Sequence, residues 1–236
     1  MIISVHLPKT AGSSFKASLE QHFDLKVLLD YADLPINTPP FQRNKNALIS
    51  SLKNADYDFG ETECIHGHFM PAKYLLMDTA RPLTFVTWMR HPVERVISHY
   101  YFWQRRYWPE APPLHKRIVE EEWSLERFCL SNEMQNLYQQ FLWGFPLNNF
   151  DFIGITEHYI EDFRYFVKTF LQKDVASYKE NINENRKGNY PISKSFRNKI
   201  ESFHKVDMEL YNSALKLRFQ RNHSRLSKIF GYIQKY

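Results

Sequence analysis

A lysine, a run of small residues and the end of an apolar segment meet in Ser4-Val5-His6-Leu7-Pro8-Lys9-Thr10-Ala11-Gly12-Ser13-Ser14-Phe15. This combination suits the gripping of an oxyanion. The first N–H groups of a helix have no intrahelical partner and sit at the positive end of its macrodipole, so a turn of Thr, Ala, Gly and Ser lets a phosphate or sulfate approach them closely. Lys9 adds a full charge at the mouth. The nucleotide-triphosphate loop G-x-x-x-x-G-K-[ST] is different, because here the lysine comes first and no glycine precedes it.

A second segment, Phe85-Val86-Thr87-Trp88-Met89-Arg90-His91-Pro92-Val93-Glu94-Arg95-Val96-Ile97-Ser98, runs from an apolar stretch through Arg90 to a proline that can open a helix. Arginine pairs with phosphate oxygens through its planar fork and keeps its charge at any working pH. Between these two lies Cys64-Ile65-His66-Gly67-His68-Phe69, with two histidines about a glycine just after a predicted strand. Histidine titrates near neutrality, which makes His66 and His68 the best general-base candidates. The alternatives are packed or solvated imidazoles, or a metal site drawn from Glu63, Cys64, His66 and His68. No further ligand cluster accompanies such a site.

The lysine loop Pro8-Lys9-Thr10-Ala11-Gly12-Ser13-Ser14 resembles the 5′-phosphosulfate loop of sulfotransferases, which use 3′-phosphoadenosine-5′-phosphosulfate and release adenosine 3′,5′-bisphosphate. Strand, arginine, proline, helix and serine resemble the same family's 3′-phosphate site, which implies that Arg90 and Ser98 reach the 3′-phosphate. His-Gly-His, together with "RVISHYY" at 95–101 and "IGITEHYIEDF" at 153–163, is similar to the uronyl and heparan sulfate 2-O-sulfotransferase branch. There the second histidine is the base, which implies His68 as base and His66 as a supporting residue. Lys9 is then the group that stabilises the bridging oxygen as the phosphate departs. Arg186-Lys187-Gly188, within the polar stretch ending at Tyr190, resembles a nucleotide-covering loop of the cytosolic small-molecule branch; a solvated loop is the competing reading. The resemblance implies a P-loop-like three-layer α/β fold, a hydroxyl acceptor on a carbohydrate, and no metal. A nucleotide-dependent kinase and a non-enzymatic anion or nucleic-acid binder are the rival readings.

Alternating strand and helix signals place these motifs on a parallel sheet covered by helices. Strands are predicted at 2–7, 63–66, 83–89 and 151–156. A helix over 14–23 places Phe15, Leu19 and Phe23 on one face, and another after Pro92 carries Val93, Val96, Ile97, Tyr100 and Tyr101. The run 120–141 reads as helical, Phe163, Phe166, Val167 and Phe170 stripe a further helix, and one or two long helices finish the chain. Of Trp103 to Trp108, the residues Trp103, Arg105, Arg106, Tyr107 and Trp108 are expected either to line an acceptor groove or to pack in a core or oligomer contact, with Tyr100 and Tyr101 in the core.

The 236 residues, 43% of them hydrophobic, fit one domain over 1–236. Two cysteines are too few for a disulfide framework, and no run of eighteen apolar residues exists, so a cytoplasmic protein without an integral membrane segment is expected. Charge is uneven. Residues 1–159 hold 15 Lys and Arg against 18 Asp and Glu, whereas residues 160–236 hold 16 against 8. A solvated helical face, nucleic-acid binding and an anionic co-substrate each account for the basic end, and the motifs favour the last, with no nucleic-acid partner.

Overall fold

The computed structural model describes residues 1–33, 35–79, 81–173 and 190–233. Its strands are β1 (Ile2–Val5), β2 (Val27–Asp30), β3 (Cys64–Gly67), β4 (Thr84–Met89) and β5 (Phe152–Ile155). They form an all-parallel sheet in the order β2-β3-β1-β4-β5. The helices are α1 (Gly12–Phe23), α2 (Pro40–Ala55), α3 (Pro92–Arg105), α4 (Pro113–Glu120), α5 (Leu125–Cys129), α6 (Leu137–Phe141), α7 (Tyr159–Phe166), α8 (Lys194–Phe203) and α9 (Lys205–Ile233). The fold is α/β with helices on both faces of the sheet, as the alternating pattern implies. No helix among the described residues is long and apolar enough to cross a membrane.

Strand residues divide by parity between two cores. Ile3, Val5, Ile65, Phe85, Met89, Ile153 and Ile155 join the core formed with α3 to α6, α8 and α9, while Ile2, Cys64, Val86, Trp88 and Phe152 join Phe15 and Leu19 of α1 and Phe163 and Phe166 of α7. Burial on both faces explains why β1, β3, β4 and β5 read as short continuous apolar runs. Trp88 stands opposite Gly154 in the register, and a Cβ on that glycine would lie 2.4 Å from the indole ring. Only glycine leaves that space.

The sheet topology fixes where a ligand can sit. From β1 the chain passes to β2 on one side of the sheet, and from β4 it passes to β5 on the other. The connections diverge. A crevice therefore opens between the carboxyl ends of these two central strands, the usual binding position in open α/β sheets.

Several expectations change in detail. The stretch 120–141 is broken into α5, one 3-10 turn at Asn132–Met134 and α6, because Asp207 on α9 receives the N–H groups of Tyr138 and Gln139 and starts a new helix there. Tyr101 is exposed, whereas Tyr100 packs against the core and bonds the Trp123 carbonyl at 3.0 Å. Three basic residues of the C-terminal part are not a solvated face: Arg197 pairs with Glu94 at 2.7 Å, and Arg218 and Arg221 both pair with the buried Asp162.

The interior also holds neutral imidazoles. Burial lowers His66 to about 3 and His204 to about 4, and it takes His6 and His99 well below 6.5. An unfolded chain takes up protons on these groups as pH falls below about 6.5, and the native state does not, so stability is lost on that acid side at up to about 1.4 kcal/mol per pH unit for each group. Asp207, raised to about 6 chiefly by burial, binds a proton in the native state and offsets one of them. Melting temperature is expected to drop by roughly 10–25 °C between pH 7 and pH 5. A flat or rising thermal-melt series would contradict the buried neutral state.

Candidate active site

The β1–α1 connection makes the tightest turn of the site. Lys9 and Ala11 both occupy the left-handed region, at φ 66° and 70°, which costs a non-glycine residue roughly 1–2 kcal/mol. Thr10, between them, is buried and donates its hydroxyl to the Leu7 carbonyl at 2.8 Å. This strain curls the backbone ahead of α1, and such alternation is one way in which a protein builds an anion-binding concavity. No side chain caps the helix, and its first turn contains no acid. The N–H groups of Gly12, Ser13 and Ser14 are therefore presented at an uncompensated helix start. The Lys9 ammonium lies 3.9 Å from the centre of the Phe102 ring.

Gly12 is required here by a neighbour. A Cβ at this position would fall 1.8 Å from Nε2 of His6, whose ring lies against the helix start. That ring is 4.2 Å from the His68 ring and 5.1 Å from the His66 ring, and its Nδ1 is 3.0 Å from the Tyr31 hydroxyl. Burial raises the Tyr31 phenol to about 12 and keeps it protonated.

His68 follows β3, and its Nδ1 bonds the backbone carbonyl of His6. A carbonyl only accepts, so Nδ1 carries the proton and the neutral ring keeps its lone pair on Nε2. Burial lowers the His68 pKa, against the opposing pull of that bond. The result is a half-buried imidazole that is unprotonated at neutral pH and can accept a proton through Nε2.

His66 is placed differently from His68. It is buried beneath the cleft on the α1 face of the sheet, with Nδ1 2.8 Å from the hydroxyl of Ser4, its register partner in β1. The end of the strand accounts for this: alternation fixes His66 on the α1 face of β3, whereas His68 lies past Gly67 and is not held to that face. His66 does not border the cleft; it backs the His6 ring.

Arg90 stands at the carboxyl end of β4. One hydroxyl pins its backbone: Tyr138 on α6 accepts the Arg90 N–H at 2.9 Å and donates to the Arg90 carbonyl at 2.5 Å. Glu157, after β5, accepts the next N–H, from His91, at 2.8 Å. Ser98 lies two turns into α3 and is buried at the cleft wall.

A cleft of about 1480 Å³ joins these parts, bordered by Pro8, Lys9, Ala11, Gly12, Ser13, Ser14, His68, Arg90 and Ser98 among the expected residues. Trp103 and Arg105 also border it; Arg106, Tyr107 and Trp108 do not, Tyr107 being bonded to Glu120 at 2.7 Å. Arg186, Lys187 and Gly188 lie outside the described residues. Tyr190, at the end of the same stretch, borders the cleft with its ring 5.9 Å from the Arg90 guanidinium.

The acids at the cleft are already engaged. Glu94 pairs with Arg197 and accepts the Tyr190 N–H, Glu157 holds His91 and Tyr211, Asp33 pairs with Lys73, and Glu161 pairs with Arg218. No group of three or more His, Cys, Asp or Glu among the described residues is placed to hold a metal ion. Lys9, Lys16, Arg90 and Arg105 border the same space, so the cleft favours an anion.

Sequence reasoning passes over His6, Tyr31 and His99, which border the cleft as well. His6 sits inside the lysine-loop segment itself, and His99 inside "RVISHYY", so both were within the stretches already singled out. Tyr31 has no local signal. Compared with known proteins, the chain matches no protein-family model and no curated protein.

Proposed function

We propose that this protein is a sulfotransferase that moves a sulfuryl group from 3′-phosphoadenosine-5′-phosphosulfate to a hydroxyl on a carbohydrate. One observation carries the reading: the uncapped helix start with Lys9, the pair Arg90 and Ser98, and a neutral His68 all border one cleft. Two oxyanion sites and a base in a single space answer the needs of this transfer. The volume is ample for a nucleotide and an acceptor.

When bound, the phosphosulfate supplies an activated sulfuryl group: the acceptor oxygen bonds to sulfur as the sulfur–oxygen bond to the 5′-phosphate breaks, and its electron pair stays on the phosphate. His68 takes the acceptor's proton on Nε2 and later passes it to solvent. Lys9 and the N–H groups at the start of α1 meet the charge that grows on the departing phosphate, where fixed donors outperform water. Arg90 and Ser98 hold the 3′-phosphate, and Tyr138 and Glu157 keep their loop in place. Two buried thiols, Cys64 and Cys129, fit a reducing, cytoplasmic setting.

Adenosine 3′,5′-bisphosphate is expected to raise the melting temperature far more than AMP does. Arg90→Ala should weaken the bisphosphate by about 1.5–3 kcal/mol and leave AMP nearly unchanged. Calorimetric titration of both nucleotides checks this, and equal affinities in the parent protein would sink the assignment.

Lys9→Ala should lower turnover more than it lowers bisphosphate affinity, because its strongest interaction is with charge that develops during transfer. Radiolabelled sulfate transfer, screened across glycans and small alcohols, supplies the acceptor and the rate. Turnover near that of the parent would remove Lys9 from the mechanism.

For His68, turnover should rise with pH along a limb lying below about 6.5, since the group is depressed, and then level off. His68→Ala should remove that limb and about 10²–10⁴-fold of the rate while nucleotide binding persists. Glu63, paired with Lys26 at 2.6 Å, and Glu94, paired with Arg197, are poor substitutes as bases. A His68→Ala variant with an unchanged profile places the base elsewhere.

A further inference from the structure

Arg95 is a fully buried cation without a carboxylate partner among the described residues. Its Nε and Nη2 have no hydrogen-bond partner, and its Nη1 lies 3.5 Å from Nδ1 of His99, one turn further along α3. The nearby acid, Asp207, is taken up by the N–H groups that begin α6. A buried unpaired charge is costly, so its placement calls for a role.

A guanidinium can only donate, which makes Nδ1 of His99 an acceptor and puts the ring proton on Nε2. The ring is clamped by Trp103 at 4.4 Å and by Phe128 at 5.9 Å, both edge-on. His99 borders the cleft, and its Nε2 has no partner among the described residues. We propose that His99 is a second histidine of the reaction centre, held by Arg95 as a neutral Nε2–H donor that bonds a non-bridging oxygen of the sulfuryl group in transfer. This inference rests on the sulfotransferase reading.

The surrounding charges all act in one direction. Burial is the largest obstacle to a second proton on His99; Arg95 on the same helix and Lys9 in the β1–α1 turn add to it, and a proton on His68 after β3 or on His115 of α4 would do so too. The ring is thus kept from becoming an imidazolium or a base. His68 accepts and His99 donates, and the difference follows from the partner of each Nδ1: a carbonyl for one, a guanidinium for the other.

Ring ¹⁵N spectra of the full chain provide a test that does not depend on turnover. His99 is expected to show the Nε2–H tautomer from pH 5 to 8, and its Nε2–H signal should shift when adenosine 3′,5′-bisphosphate and inorganic sulfate are added together. Arg95→Met should turn that tautomer into a mixture. In turnover, His99→Leu should cut kcat by about 10²–10³-fold with KM for the phosphosulfate changed by less than about twofold, and His99→Gln, whose amide can donate, should recover at least about tenfold. If the leucine variant fails to fold, the glutamine variant and the spectra decide. A proton on Nδ1, or a folded leucine variant with parental kcat, overturns the proposal. Binding of bisphosphate and sulfate together that leaves the His99 signals unmoved overturns it alone, whereas no bisphosphate binding by the parent protein overturns the functional reading together with it.

Discussion

The hydrogen bond from His68 Nδ1 to the His6 carbonyl is the contact on which the site depends. It ties the segment after β3 to the segment after β1, and so sets the proposed base relative to the loop proposed to hold the leaving phosphate. It also fixes the tautomer of His68. The same residue that supplies the carbonyl presses its ring on Gly12, so His68 and the helix start share one spacer. A side chain at position 12 would push on His6, and through His6 on His68.

Two kinds of electrostatic control act on the histidines of the cleft. Burial removes the water that would stabilise an imidazolium, and the nearby cations raise the cost further. Together they keep His6 and His99 neutral in a space that favours anions, while burial alone lowers His68. Neutrality alone does not assign a role, however. The backbone carbonyl beside His68 and the guanidinium beside His99 do, because each fixes which ring nitrogen bears the proton.

Legibility in the sequence follows how local each signal is. The lysine turn, Arg90 and the two histidines lie at strand ends, where a short apolar run followed by small or charged residues is readable without tertiary knowledge. The edge strand β2 and helix α2 are not readable in that way. Leu28 and Leu29 of β2 are half exposed, and α2 turns Ala47 and Ser51 inward while Phe41, Leu48 and Leu52 face outward. A periodicity argument would choose the wrong face of that helix. The division of His66 from His68 is likewise beyond the spacing alone, since it depends on β3 ending at Gly67 rather than running on through His68.

Net charge by segment points the wrong way for a physical reason. The basic excess lies in residues 160–236, yet Arg197, Arg218 and Arg221 from that part neutralise Glu94, Glu161 and Asp162. Lys9, Lys16, Arg90 and Arg105, which border the cleft, all belong to the segment whose balance is negative. Acids near the strand ends are needed to hold loops, as Glu157 holds His91 and Asp162 holds the Ile155 N–H. Left unpaired, they would repel an incoming anion at short range and low dielectric. The C-terminal helices therefore contribute to the site indirectly: by taking up those acids, they let four cations from the rest of the chain set the sign of the field in the cleft.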